Sequence, residues 1–328
     1  MVKDVSTDSA EILSPMRRVS ARWIIAAIGL TIVVWLTGLA GLLAIANRVH
    51  DDIPEALAVK LPLLQLQPEL IFAGDSRMAF QVDPVLSAQL VGKPPGFAVN
   101  IAYLAGDPLS FVAAARRYVG RFKNAHVVVS VTTLISNDGV PGASVFPQDV
   151  VARMNVAQQI TTFLPMRVGT LIRYIHEAFN SRLAADRNIS EIGPHPAEYG
   201  LERLPAQPGY RWPPDISSHQ HFKNWNIAGL KARNEIGALC GLAGVSKKLT
   251  VVLGPWAPRY NRDNEPSWKA KDEENTALLA KSAETCGFEL VKIPSVPGLT
   301  QEHFADEQHI NESGIPIYTS YLMTQLKN

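Results

Sequence analysis

Residues 70–77 read Leu-Ile-Phe-Ala-Gly-Asp-Ser-Arg, a run of four apolar residues followed by a short polar turn. A continuously apolar run is typical of a strand that is covered on both faces, as in a parallel sheet. Gly74 and Asp75 are residues that favour turns, and Ser76 can then begin a helix. The stretch therefore predicts a strand, a tight turn and a helix, which is the repeating unit of α/β folds.

Four further apolar runs of the same character follow along the chain. They lie at 97–100, 127–131, 249–253 and 288–293. The segments between and after them predict helices near 83–91, 107–121, 225–243, 267–285 and 312–326. Strands that alternate with helices predict a doubly wound α/β fold with a parallel sheet of about five strands, here over residues 68–328.

The segment 140–224 interrupts this alternation. It is too long for an ordinary crossover, and its second half is rich in proline, which argues against regular structure. We expect an insertion that forms either a self-packed lid or a surface for a carbohydrate or a partner protein. His219 and His221 within it are expected to be exposed loop residues instead of metal ligands.

Residues 23–46 carry no charged side chain, and at about 1.5 Å per residue they can cross a hydrocarbon core of about 30 Å. Basic residues concentrate before this run, which predicts a cytoplasmic tail over 1–22 and, after a linker at 47–67, a domain in the periplasm or outside the cell. The basic residues are Lys3, Arg17, Arg18 and Arg22. A cleaved signal peptide is the alternative, since residues 44–46 resemble a cleavage site.

The composition excludes several function classes. Of the 328 residues 47% are hydrophobic and the net charge is +1, so no strongly basic surface is available for nucleic acid. Two cysteines, Cys240 and Cys286, are too few for a disulfide scaffold or a cysteine-cluster zinc module. In an oxidising compartment they can form one disulfide, and two buried thiols are the alternative.

Candidate catalytic residues lie at both ends of the predicted domain. In an open parallel sheet the active site lies at the carboxyl ends of the strands, where Ser76 is the candidate nucleophile. His309 can accept its proton, and Asp306, three residues earlier, can orient the imidazole. His303 is a rival base, but it has no aspartate three residues before it.

Gly-Asp-Ser around Ser76 and Asp-x-x-His at 306–309 resemble the first and last sequence blocks of the SGNH (GDSL-like) hydrolase superfamily. The resemblance covers roughly 68–139 and 245–328. It implies an oxyanion hole formed by the Ser76 amide, the Gly106 amide and the Asn137 side chain. The chain departs from the family pattern at Asn137, which lacks a preceding glycine and comes about three residues late.

Arg77 stands where founding members of the family commonly have leucine. Gly-Asp-Ser-Arg with a membrane anchor is similar to the bacterial branch that acylates or deacylates cell-envelope and secreted polysaccharides. Arg77, Trp256 and Tyr260 are candidate substrate-binding residues. The alternatives are an ion pair of Arg77 with Asp75 or Asp107, and a core position for the two aromatic residues.

These features predict a membrane-anchored serine esterase or O-acyltransferase that acts through an acyl-enzyme on acyl esters of polysaccharide. A membrane acyltransferase is an additional expected partner, and the triad mechanism implies no metal or organic cofactor. The alternative is a non-catalytic envelope or polysaccharide assembly or binding protein, with 140–224 as its docking surface.

Overall fold

The computed structural model describes most of the chain apart from the N-terminal tail and much of the predicted insertion. The described residues are 21–49, 53–104, 106, 108–131, 135–136, 176, 179–180, 183–185, 187–188, 198–207, 225–226, 235–260 and 266–327.

Five parallel strands form one sheet. In chain order the strands are β1 (Leu70–Ala73), β2 (Ala98–Asn100), β3 (His126–Ser130), β4 (Ile135–Ser136), β5 (Trp225–Asn226), β6 (Lys248–Leu253) and β7 (Glu289–Lys292). The sheet has the order β2-β1-β3-β6-β7, and β4 and β5 pair separately as an antiparallel ribbon. The predicted α/β fold with a five-stranded parallel sheet is confirmed, and each strand of the sheet ends within one residue of its predicted bounds.

The helices that flank and follow these strands agree less closely with the prediction. They are α1 (Ala21–Val49), α2 (Glu55–Ala58), α3 (Ser76–Gln81), α4 (Pro84–Leu90), α5 (Pro108–Arg117), α6 (Val119–Asn124), α7 (Glu235–Val245), α8 (Pro266–Cys286) and α9 (Ile315–Gln325). The single helix predicted at 107–121 is two helices, because Tyr118 leaves helical dihedrals. The helix predicted from 225 is wrong at its start, because Trp225 and Asn226 pair with β4.

The sheet buries side chains on both of its faces. Along β1, Ile71 and Ala73 belong to the core against α5 and α7, whereas Leu70 and Phe72 belong to the core against α3, α4 and α9. This alternation follows from the period of two in a strand. Two covered faces explain why the strand sequences are continuously apolar.

The segment before β1 belongs to the folded domain. Ile53 is 1% exposed, and Leu57, Leu61 and Leu64 are fully buried in the same core as Ile71. Their spacing of three or four residues is the period of one helical face. The domain boundary predicted at 68 is therefore corrected to about 53, and residues 53–66 of the predicted linker belong to the domain.

Two further features bear on the location of the chain. Within α1, the 21 residues Arg22–Leu42 are long and apolar enough to cross a membrane, judged by length and composition. Cys240 and Cys286 form a disulfide between α7 and α8, with their Cα atoms 5.1 Å apart. Of the two alternatives for these cysteines, the structure has the bridge.

Candidate active site

The turn after β1 presents Ser76 at the carboxyl edge of the sheet. Gly74 has φ of +123°, and a Cβ there would overlap the backbone and hydroxyl of Ser130 on β3, so only glycine fits. Asp75 caps α3 by accepting a hydrogen bond from the Arg77 N–H at 3.1 Å. Ser76 is consequently the first residue of the helix. It lies beside the boundary between β1 and β3, where the strand order reverses and ligands bind in such sheets.

The three candidate catalytic residues form a continuous hydrogen-bonded chain. Ser76 Oγ lies 2.7 Å from His309 Nε2, and His309 Nδ1 lies 2.7 Å from Asp306 Oδ2. When Nδ1–H donates to the carboxylate, Nε2 of the neutral ring is an acceptor for the serine hydroxyl. This is the arrangement that general-base activation of a serine requires.

Asp306 is held in its ionised form. Burial by itself would raise the pKa of this carboxyl, but the hydrogen bond and charge of the His309 ring outweigh it. The backbone N–H groups of Gln308 and His309 also donate to Oδ1, at 3.0 and 2.9 Å. The pKa of Asp306 therefore lies below its ordinary value. An ionised carboxylate can stabilise the imidazolium that forms when His309 takes a proton.

Two residues of α3 support the histidine loop, and sequence reasoning missed both. The rings of Phe80 and His309 meet edge to face, with centroids 5.6 Å apart. Gln81 is buried and donates from Nε2 to the Gln308 carbonyl at 2.6 Å. Phe80 lies four residues after Ser76 and so shares its face of the helix, which was the available signal. Gln81 lies one residue further round the helix, and no sequence signal identified it.

The rival base His303 is engaged elsewhere. Its Nδ1 accepts a hydrogen bond from the Thr300 N–H at 3.0 Å, so that the two residues form a capping box on a short 3₁₀ helix. Its ring therefore stabilises a local turn, in agreement with the absence of a matching aspartate in the sequence.

The predicted oxyanion donors have different positions. As the first residue of α3, Ser76 has an N–H with no acceptor inside the helix. Gly106 packs against the Gly74 carbonyl, which a Cβ would overlap, so this glycine lies beside the serine turn. Its N–H, however, donates to the Tyr103 carbonyl at 3.0 Å. Asn137 lies outside the described residues, and its proposed role stays a prediction.

Asn100 and Ser130 join the loops around the serine, and both are buried. Asn100 Nδ2 donates to the carbonyls of Met78 and Val82, at 2.8 and 3.1 Å, while its Oδ1 accepts from the Ala102 N–H. Ser130 Oγ donates to Asp75 Oδ1 at 2.9 Å. Asn100 ends the second apolar run of the sequence, where the resemblance to the SGNH superfamily also implies an asparagine, and no sequence signal identified Ser130.

The candidate substrate-binding residues are buried. Arg77, Trp256 and Tyr260 are 4%, 4% and 2% exposed. Arg77 Nη2 lies 2.9 Å from Asp75 Oδ2, and the two aromatic residues belong to the core beneath α9. These positions agree with the structural alternatives and leave little surface for contact with a substrate. Their burial favours the ion-pair and core alternatives, and substrate binding by the three side chains stays a prediction.

Comparisons with protein-family models and with curated proteins give no relative. No protein-family model matches the chain, and no curated protein matches it. Within the described residues, no group of three or more histidine, cysteine or acidic side chains is placed to hold a metal ion. Functional inference therefore depends on the geometry around Ser76.

Proposed function

We propose that this protein is a membrane-anchored, extracytoplasmic serine esterase or O-acyltransferase of the SGNH type. Its substrates are acyl esters of cell-envelope or secreted polysaccharide. The observation that carries the proposal is the pair of 2.7 Å contacts that join Ser76 to His309 and His309 to Asp306. The strand order and the position of Ser76 at its reversal support the same conclusion.

The chemistry follows from these contacts. Ser76 Oγ attacks the ester carbonyl carbon while His309 Nε2 takes the hydroxyl proton, and the carbonyl oxygen becomes an oxyanion. The oxyanion is stabilised by the Ser76 N–H, and by Gly106 if its N–H turns away from Tyr103. When the carbon–oxygen bond breaks, His309 returns the proton to the departing alcohol and an acyl-serine remains.

The second half of the reaction determines the product. Water or a sugar hydroxyl attacks the acyl-serine, His309 accepts its proton, and Ser76 regains a proton as the acyl group leaves. Attack by water makes the protein an esterase, and attack by a sugar hydroxyl makes it an O-acyltransferase. In the second case a membrane acyltransferase is a suitable partner that supplies the acyl group.

Two observations support the proposed location. The basic residues before α1 favour a cytoplasmic N-terminus and an exported domain. The Cys240–Cys286 disulfide is of the kind that persists in oxidising compartments and is rare in the cytosol.

A non-catalytic envelope or polysaccharide assembly or binding protein is the second candidate. The observation that favours it is the Gly106 N–H, which is engaged by Tyr103 instead of pointing to an open oxyanion site. Loss of one oxyanion donor typically costs about 2.7–4 kcal/mol of transition-state stabilisation. A scaffold would retain partner binding after Ser76→Ala.

The test is hydrolysis of p-nitrophenyl acetate by the detergent-solubilised full-length chain, with Ser76→Ala and His309→Ala as variants. His303→Ala is the matched control, because His303 contacts Thr300 and not Ser76. Turnover that is lost in the first two variants and kept in the control supports the acyl-enzyme mechanism, with folding verified by circular dichroism. A folded, inert wild-type chain would count against the esterase and favour a transferase with its own donor, or the scaffold.

A further inference from the structure

We infer that the carboxyl edge of the sheet, which carries Ser76, faces the membrane surface, so that the substrate is an ester held at that surface. The chemistry in this inference depends on the proposed function, whereas the orientation depends only on how the chain enters the domain.

The connection between α1 and the domain is short. α1 ends at Val49, and Ile53 is already in the hydrophobic core. Four residue steps span at most about 13–14 Å of extended chain. The point at which the chain enters the domain therefore lies within that distance of the end of α1, which continues for one to two helical turns beyond the apolar span Arg22–Leu42.

The direction of the entering segment is given by its contacts along β2. Lys60 Nζ donates to the Ala102 carbonyl, two residues beyond the carboxyl end of β2, at 2.5 Å. Leu66 then approaches Gly96, before the amino end of β2. The chain thus descends the edge of the sheet from the carboxyl end to the amino end before it enters β1. α2 ends at Ala58, two residues before Lys60, so we place the entry of the chain at the carboxyl end.

Lys60 fixes this entry point. Its side chain is 11% exposed, and its ammonium group also binds the Gly200 carbonyl at 3.1 Å and Glu202 at 2.5 Å. Glu202 N–H donates in turn to the Ala79 carbonyl of α3, the helix that begins at Ser76. The entering segment is therefore joined through one buried charge to the loop after β2 and to the helix of the candidate nucleophile.

Both edges of the sheet carry exposed apolar side chains, and the amino edge also carries basic ones. At the carboxyl edge, Leu104 in the loop after β2 is 66% exposed, and Val59 beside Lys60 is 42% exposed. At the amino edge, Val119 of α6 is 50% exposed and Leu66 is 39% exposed, and α6 also carries Arg121 and Lys123. Apolar side chains suit the boundary between headgroups and acyl chains. The basic amino edge is the competing surface, because it would bind anionic lipid headgroups.

Energy transfer from the domain to the bilayer tests the orientation. The full-length chain is reconstituted in vesicles of phosphatidylcholine and phosphatidylglycerol that contain an acceptor dye on the lipid headgroup. A donor dye is attached through Leu104→Cys at the carboxyl edge or through Lys123→Cys at the amino edge, both exposed positions. We expect greater transfer from position 104. Equal or greater transfer from position 123 would overturn the inference, as would a purified chain whose mass shows that α1 has been removed.

Lengthening the connection between α1 and the domain tests whether the substrate is held at the membrane surface. A glycine-serine segment of about 20 residues, inserted before Ile53, has a root-mean-square length of about 25 Å. Because local concentration falls roughly as the −3/2 power of linker length, we expect about a tenfold loss of turnover on a long-chain ester embedded in vesicles. Turnover of soluble p-nitrophenyl acetate should not change.

Different results would contradict the inference about the substrate and the proposed esterase activity. Unchanged turnover of the vesicle ester in the lengthened chain would overturn the inference about substrate, even if the soluble ester is hydrolysed. Absence of turnover on both esters in the wild-type chain would contradict the proposed esterase, and energy transfer, which needs no turnover, would still report the orientation.

Discussion

Ser76 Oγ and His309 Nε2 lie 2.7 Å apart although 233 residues separate them in the chain. Ser76 begins the helix after the first strand of the sheet, and His309 lies in the loop before the last helix. The contact is possible because parallel strands bring the loops at their carboxyl ends to one edge. Asp306, three residues before His309, extends the contact into a hydrogen-bonded chain.

Replacement of the orienting carboxylate tests that chain. Asp306→Asn preserves the size of the side chain but can donate to Nδ1, which favours the wrong imidazole tautomer. In a serine protease the corresponding change lowers kcat on the order of 10⁴-fold, and we expect a loss of comparable order in ester hydrolysis. Glu312→Gln, an exposed carboxylate in the same region, should leave kcat unchanged. A kcat for Asp306→Asn within a few-fold of wild type would contradict the proposed role.

The same carboxylate should make stability depend on pH. A carboxyl whose pKa is lower in the folded state contributes stability above its unfolded-state pKa, and the contribution is lost as pH falls through the folded value. Since the pKa of Asp306 is lowered, this loss should begin below about pH 5. Thermal unfolding followed by circular dichroism should show a smaller acid-induced fall in Tm for Asp306→Asn than for wild type. Parallel pH profiles of the two proteins would contradict the prediction.

Gly74→Ala should damage both stability and activity. The variant must adopt φ of +123° and relieve an overlap with Ser130, which is part of β3. A residue held in such a conformation costs about 1–3 kcal/mol, before the overlap is counted. Gly120→Ala is the matched control, because Gly120 lies in a helix with open space around it and should gain about 0.5–1 kcal/mol. Chemical denaturation measures both variants, and equal stabilities would show that the turn after β1 is not constrained.

Lys60→Met should destabilise the domain more than a surface lysine substitution. It removes the partner of two carbonyls and leaves Glu202 without its cation. An unsatisfied buried polar group costs about 1–3 kcal/mol. In a domain of this size each kcal/mol lowers Tm by roughly 2–4 °C. Lys93→Met, whose partner Glu69 is 3.8 Å away at the surface, is the control and should change Tm little. Similar Tm values for the two variants would contradict a stabilising role for the contacts of Lys60.

The disulfide should contribute to stability in proportion to the loop that it closes. Cys240 and Cys286 are 46 residues apart, and the loop-entropy relation gives about 4 kcal/mol as an upper value. We expect the Cys240→Ala, Cys286→Ala double variant to unfold at lower denaturant concentration than wild type. A reducing agent should lower the wild-type midpoint and leave that of the double variant unchanged. A wild-type midpoint that is insensitive to reduction would indicate two free thiols.

The positions of strands and of short motifs could be predicted where neighbouring residues alone determine the local structure. The five apolar runs are only four to six residues long, which is the length of a strand covered on both faces and too short for a buried or membrane-spanning helix, and the observed bounds agree within one residue. The Gly-Asp-Ser turn and the Asp-x-x-His loop could also be located, because each is a short segment whose residue types serve the local backbone. The Asp306 side chain binds its own loop, which makes that motif visible in four residues.

Other predictions failed where contacts between residues distant in the sequence determine the local structure. Residues 53–66 were expected to be a linker, but their apolar face packs on helices that are distant in sequence. Trp225 and Asn226 form a ribbon with residues 135–136, where the sequence predicted the start of a helix. Burial of Arg77, Trp256 and Tyr260 depends on which elements cover them, and residue type alone does not report it.

The amino-acid sequence by itself determined the α/β alternation, the apolar helix near the N-terminus and the identity of the serine, aspartate and histidine, because periodicity and short motifs are properties of neighbouring residues. Only the tertiary structure decided that Ser76 contacts His309, that the cysteines are paired and that the Gly106 N–H is engaged by Tyr103. It also decided that Lys60 binds the Ala102 carbonyl beyond the carboxyl end of β2. These relationships join atoms whose separation depends on how the sheet and its helices pack, and packing is fixed by the whole chain.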